Sequence, residues 1–233
     1  MVKFLRKIAL VFVLLTGLQV FASAQNNYQR SHLWEKEITA FALADKKDFP
    51  KKGKVLFVGS SSIRGWRTLQ KDFPSIYTIN RGFGGSHLED VNFYAPQIVF
   101  PYKPDLIVLY AGENDIVAGK SIETVFNDFK VFASLVRKKL PKSRLIVVSL
   151  KPSPARREFA PKFKELNSLL KTETEKDEHL LFVDVWTPMS DGKGEPKEDI
   201  FLGDKLHMNA KGYEIWRETL FPKIKSGLKG SFR

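Results

Sequence analysis

Val55-Leu56-Phe57-Val58-Gly59-Ser60-Ser61-Ser62 is an unbroken apolar run that ends abruptly in a glycine and three small hydroxylic residues. A run of this length without polar alternation suits a strand buried on both faces, the kind a parallel sheet provides. Glycine followed by serines marks the turn that leads from such a strand into a helix. Four further short runs rich in Val, Ile, Leu or Phe follow, at residues 76–79, 105–110, 145–150 and 180–185. Amphipathic segments separate them. Val125, Phe129, Phe132 and Val136 recur at three- and four-residue steps, as do Phe159, Phe163, Leu166 and Leu170, and Tyr213, Trp216 and Leu220. A helix over residues 31–47 carries Trp34, Ile38 and Phe41, Pro141 ends the pattern of Val125 to Val136, and Asn209 offers an N-cap to the last. Five strands alternating with helices predict an open parallel sheet with helices on both faces.

The chain has 233 residues, no cysteine, and 38 Lys+Arg against 26 Asp+Glu, a formal charge of +12. Without cysteine there is neither a disulfide framework nor a thiolate zinc site. Lys3, Arg6 and Lys7 precede an apolar run over residues 8–21 that ends in Ala22-Ser23-Ala24, the layout of a secretory signal peptide. We expect residues 1–24 to be removed, leaving residues 25–233 as one domain that is secreted or periplasmic and keeps no membrane span. The alternative is an uncleaved anchor, for which the run is short and is interrupted by Gln19. Cleavage removes three positive charges and no acidic ones, so the remainder still carries +9. The basic residues lie in short clusters that suit helix ends and loops, where a partner would be an acidic glycan or envelope polymer. An exported chain with no nucleic-acid motif is not expected to bind DNA or RNA.

A parallel sheet presents the carboxyl ends of its strands as its natural ligand edge, so the residues just past each strand are informative. They are Gly59-Ser60-Ser61-Ser62, Asn80-Arg81-Gly82-Phe83-Gly84-Gly85, Gly112-Glu113-Asn114-Asp115 and, beyond a loop, Asp204-Lys205-Leu206-His207. A hydroxyl, a glycine-rich turn, a side-chain amide and an Asp/His pair are what acyl transfer requires. Serine needs an imidazole to take its proton, and the imidazole needs a carboxylate to fix its tautomer. The tetrahedral intermediate needs donors aimed at its oxyanion. Three-residue spacing lets Asp204 and His207 share one turn and leaves the second ring nitrogen for the serine.

Taken singly, each block has a plainer reading: a serine N-cap, a tight turn needing positive φ, and a helix cap and an Asx turn at Asn114 and Asp115. A dinucleotide fingerprint fails because His87 stands where the third glycine belongs, and the G-x-S-x-G elbow fails because Ile63 stands where its last glycine belongs. His32 and His179 lie away from any strand's carboxyl end and read as surface or packing residues, and His87 as a packing residue beside the pocket. His87, Asp204 and His207 match no common metal spacing.

The four blocks, in this order, resemble the GDSL/SGNH hydrolases, and within them the members similar to platelet-activating-factor acetylhydrolase. The resemblance implies a three-layer, flavodoxin-like α/β/α fold with a five-stranded parallel sheet, and neither metal nor cofactor. It implies Ser61 as nucleophile, His207 as base and Asp204 as its orienting carboxylate. The oxyanion donors it implies are the N–H groups of Ser61 and Gly85 and the amide of Asn114. The chain departs from the family at Ser60 and Ser62, where Asp and Leu are usual, and the missing Asp takes one hydrogen-bonding group from the turn. Arg64, Trp66, Glu113, Lys151, Ser153, Arg156 and Trp186 flank the same strand ends and are candidates for shaping specificity, or for salt bridging and packing. The expected activity is hydrolysis of short acyl esters, with O-acetyl groups on a glycan as the expected substrate. The alternatives are a lysophospholipase or thioesterase, and a catalytically silent glycan-binding protein. Oligomeric state leaves no trace in the sequence.

Overall fold

The structure is a computed structural model that describes residues 30–51 and 54–229. The leader and its expected cleavage site lie outside the described residues. The chain divides into two units that meet at Glu35 and Lys36. In the first, a 3-10 turn over Ser31–Trp34 follows Arg30, whose guanidinium lies 5.0 Å over the Trp34 ring.

The second unit carries a sheet of five parallel strands, β1 (Val55–Gly59), β2 (Thr78–Gly82), β3 (Leu106–Tyr110), β4 (Arg144–Val148) and β5 (Leu180–Val183). Their order is β2-β1-β3-β4-β5, so the chain reverses its direction of travel across the sheet between β1 and β3. Loops leave the two strands in opposite directions there and open a crevice, which is where open α/β sheets bind ligands. Register levels the edge: Gly59 pairs with both Gly82 and Tyr110. Every residue of β1 and β3 is buried, as their unbroken apolar runs require.

The longer helices are α1 (Glu35–Lys47), α2 (Leu88–Ile98), α3 (Ile122–Lys139), α4 (Ala160–Thr174) and α5 (Ala210–Lys229). Alternation along the strands sends Val55, Phe57, Leu106, Val108, Tyr110, Ile146 and Val148 to one face. There they form one cluster with Trp66, Phe73 and the α5 residues Trp216, Leu220 and Ile224. The intervening residues Leu56, Val58, Ile107 and Leu109 are equally buried on the other face. Helices α2, α3 and α4 lie side by side, with α2 against β1 and α4 against β5. This is the expected three-layer fold. Asn209 caps α5 as its sequence position suggests, accepting from the N–H of Lys211 at 2.9 Å. Among the described residues no helix is long and apolar enough to cross a membrane.

The second strand departs from expectation: it runs over 78–82, whereas the apolar run lies at 76–79. Ile76 packs on the core from the preceding loop, and the strand continues through Asn80 and Arg81. Those polar residues are accommodated because β2 is an edge strand. Asn80 donates to the Ile63 carbonyl at 2.7 Å, and Arg81 meets Asp45 of α1 at 2.5 Å and the Tyr102 hydroxyl at 2.7 Å. Strands β4 and β5 end before the apolar runs do, at Val148 and Val183. Helix α2, with Pro96 inside it, is an element that the periodicity reading passes over.

Candidate active site

The edge at the carboxyl ends of β1, β2 and β3 assembles from the strand turns. Gly59 closes β1 with φ +136°, and a Cβ at this position would stand 1.8 Å from the Tyr110 carbonyl oxygen. Only glycine allows β1 to turn beneath β3 here. The Ser60 N–H then donates to that carbonyl at 3.0 Å, and a one-turn helix begins at Ser61 (Ser61–Arg64). The Tyr213 hydroxyl, from α5, donates to the Ser62 carbonyl at 2.9 Å and clamps the turn. Of the three serines, Ser60 and Ser62 are 3% and 2% exposed, and Ser61 is half-buried.

The loop after Phe201 carries Asp204 and His207. Its ends are held by a bridge between Phe201 and Met208, and the Leu202 N–H donates to the His207 carbonyl at 2.7 Å. Asp204 accepts from the N–H groups of Leu206 and His207 at 3.0 and 2.9 Å, which fixes its carboxylate under the ring. The second oxygen lies 2.5 Å from His207 Nδ1, and His207 Nε2 lies 2.9 Å from the Ser61 Oγ. A carboxylate only accepts, so Nδ1 carries the proton, Nε2 is the acceptor, and the Ser61 hydroxyl donates to it. The hydrogen bond from His207 holds the Asp204 carboxyl down at about 2.

Past β2, Gly85 has φ +76°, and a Cβ placed on it would meet nothing within 4 Å, so this backbone borders open space. Past β3, Asn114 lies in a helical turn, Glu113–Val117, with Gly112 at its N-cap position. Its Nδ2 donates to the Ser86 carbonyl at 3.0 Å and keeps a second hydrogen. Its Oδ1 accepts from Arg156 Nη2 at 2.8 Å. Behind it Glu113 and Lys151 form a buried ion pair at 3.0 Å, with Arg156 Nη1 3.6 Å from the same carboxylate. Burial pulls the Lys151 ammonium below its ordinary range, against the pull of Glu113, and pushes the Tyr110 phenol well up.

The plainer readings divide along physical lines. Asp115 is not a helix cap: its buried carboxylate accepts from the Leu88 N–H at 3.2 Å and meets the Lys120 ammonium at 3.1 Å, tying this turn to the start of α2. Burial pushes the Asp115 carboxyl up from its ordinary value. His87 is buried at the N-cap of α2 in a reciprocal capping box with Asp90. His32 is exposed, and His179 sits before β5 with Nδ1 3.3 Å from Asp177. Trp66 belongs to the core, with its indole N–H given to Asp72. Lys164 covers the Trp186 ring at 5.3 Å, Ser153 is buried, and the Arg64 guanidinium lies against Gly84. Sequence reading names Glu113, Lys151 and Arg156 singly. That they form one linked group behind Asn114 depends on β4 lying beside β3, which spacing does not encode. Among the described residues no group of three or more His, Asp or Glu side chains is placed to hold a metal ion.

No curated protein matches the chain. Solved structures with the same fold include a Streptococcus pneumonia protein described as a platelet activating factor, at 19% identity and TM-score 0.74, covering 90% of this chain and 98% of that one. A GDSL-like lipase from Bacteroides thetaiotaomicron is 25% identical with TM-score 0.66, covering 88% and 100%. An acetyl-xylooligosaccharide esterase from Geobacillus is 14% identical with TM-score 0.60, covering 75% and 95%. The model of the GDSL-like lipase/acylhydrolase family matches residues 54–215, the stretch that spans all five strands and every residue of the edge just described. The chain belongs to the GDSL-like lipase/acylhydrolase family, and it is a carboxylic ester hydrolase.

Proposed function

We propose that this enzyme is an exported serine esterase that removes short acyl groups, chiefly O-acetyl groups on a glycan, through an acyl-enzyme on Ser61. The observation that carries the reading is the continuous chain from Asp204 through His207 to the Ser61 hydroxyl. Ser61 Oγ attacks the ester carbonyl while His207 Nε2 takes its proton. Asp204 holds the Nδ1–H tautomer and stabilises the imidazolium that forms. The carbonyl oxygen becomes an oxyanion that meets the N–H groups of Ser61 and Gly85 and the second N–H of Asn114. His207 then gives its proton to the departing alcohol oxygen, the C–O bond breaks, and water repeats the sequence to release the acid and restore Ser61.

Export rests on the leader sequence. The small acyl group rests on the family likeness, and the glycan on export together with the positive charge that remains after cleavage. Replacement of Ser61 by Ala tests the chemistry: the variant is expected to lose hydrolysis of p-nitrophenyl acetate. Profiling the acids released from native polysaccharides and from lipids tests the substrate, with acetate from polysaccharide the expected product. Release of long-chain acids would move the assignment to a lysophospholipase.

A further inference from the structure

We propose that Arg156 is a positioning residue that fixes and polarises the Asn114 amide; the inference rests on the reading of Asn114 as an oxyanion donor. A side-chain amide has two orientations, and only one of them presents N–H to the reacting carbonyl. A guanidinium can only donate, so the atom 2.8 Å from Arg156 Nη2 has to be the Asn114 oxygen. A carbonyl can only accept, so the Ser86 oxygen 3.0 Å away has to face Nδ2. Two neighbours of opposite kind thus hold the amide one way round and leave its second N–H for substrate. The hydrogen bond from a cation also draws electron density toward Oδ1 and strengthens the N–H groups as donors.

Arg156 is itself held in place. The Glu113 carboxylate lies 3.6 Å from Nη1, and the neighbouring Ala155 N–H donates to the Lys205 carbonyl at 3.1 Å, which joins this loop to the one carrying Asp204 and His207. Glu113 is fixed in turn by Lys151, whose side chain is 1% exposed. Lys151 and Arg156 hold the Glu113 carboxylate between them, and this keeps the Arg156 guanidinium behind the amide at the point where negative charge would develop. Only 15% of the Arg156 side chain is exposed, which suits a residue acting through Asn114 more than one offered to solvent.

A double-mutant cycle on the purified protein tests this, with p-nitrophenyl acetate as probe and thermal midpoints taken for each variant. In the wild-type background R156A is expected to lower kcat about 10- to 100-fold with KM changed less than about threefold, because the loss is in transition-state stabilisation. In the N114A background the same substitution is expected to change kcat less than about twofold, since the amide it serves is gone. R156K keeps the charge without the fork and is expected to fall between; it replaces R156A in the cycle should the alanine variant not fold. Equal losses in both backgrounds, or no loss in either, overturn the inference while leaving Ser61 as nucleophile untouched. A fully active S61A variant overturns instead the reading on which it rests.

Discussion

His207 Nε2 lies 2.9 Å from the Ser61 hydroxyl although 146 positions separate the two residues. The approach is made by two pieces: a strand end closed by Gly59, and a loop pinned between Phe201 and Met208. The two atoms are already within hydrogen-bond distance.

The hydrogen bond from His207 holds the Asp204 carboxyl at about 2, so the carboxylate is ionised at neutral pH. Asp204→Asn removes the acceptor that selects the Nδ1–H tautomer, and kcat is expected to fall by about 10² to 10⁴. Because Asp204 is exposed, the thermal midpoint is expected to stay within about 3 °C. Steady-state kinetics alongside a melting curve checks both halves.

On the proposed reading, replacing Asn114 by Ala removes one donor to the oxyanion. A loss of about 10² to 10³ in kcat is expected, with little change in KM for p-nitrophenyl acetate. An unchanged kcat would make Asn114 a purely structural link to Ser86.

Gly59→Ala tests how the edge is built. The new Cβ would stand 1.8 Å from the Tyr110 carbonyl oxygen at a backbone of φ +136°, so β1 and β3 would have to part. Destabilisation on the order of 3 kcal/mol or more is expected, read as a lowered urea midpoint or as insoluble protein.

Tyr102 makes a pH-dependent tie between α1 and the sheet. Its hydroxyl donates to Asp45, and burial first, then that hydrogen bond, pushes its pKa up to about 12 from 10.0. The protonated phenol is favoured in the folded state, so its contribution is complete below pH 10 and is lost as the pH rises toward 12. Two pH units correspond to roughly 2–3 kcal/mol. Tyr102→Phe is expected to be less stable than wild type at pH 8 and to lose less on going to pH 11, measured by urea denaturation at the two values.

The sheet was legible because strands covered on both faces need long apolar runs, and Val55 to Val58 and Leu106 to Tyr110 are such runs. Where a strand lies at an edge the pattern loosens. The position of β2 was misread because Asn80 and Arg81 are strand residues that satisfy their polar groups through Ile63, Asp45 and Tyr102, contacts that are distant in sequence. That the four polar blocks gather at one edge was legible because each lies just past a strand or in the loop facing that edge, which is the ligand side of a parallel sheet. Which of three serines faces the cleft was not a matter of composition; it follows from the turn at Gly59, which buries Ser60 and Ser62 and leaves Ser61 beside the imidazole. The linkage of Asn114 to Arg156 was invisible for a similar reason: the two residues are 42 positions apart and meet only because β3 and β4 are neighbours.

Peptide mapping after reaction with a fluorophosphonate settles which hydroxyl is the nucleophile. The peptide carrying Ser60, Ser61 and Ser62 should gain one phosphonyl group, located on Ser61 by fragmentation, and the Ser61→Ala protein should gain none. A phosphonyl group on Ser60 or Ser62, or undiminished labelling of the Ser61→Ala protein, would show that the hydroxyl beside His207 is not the one that attacks.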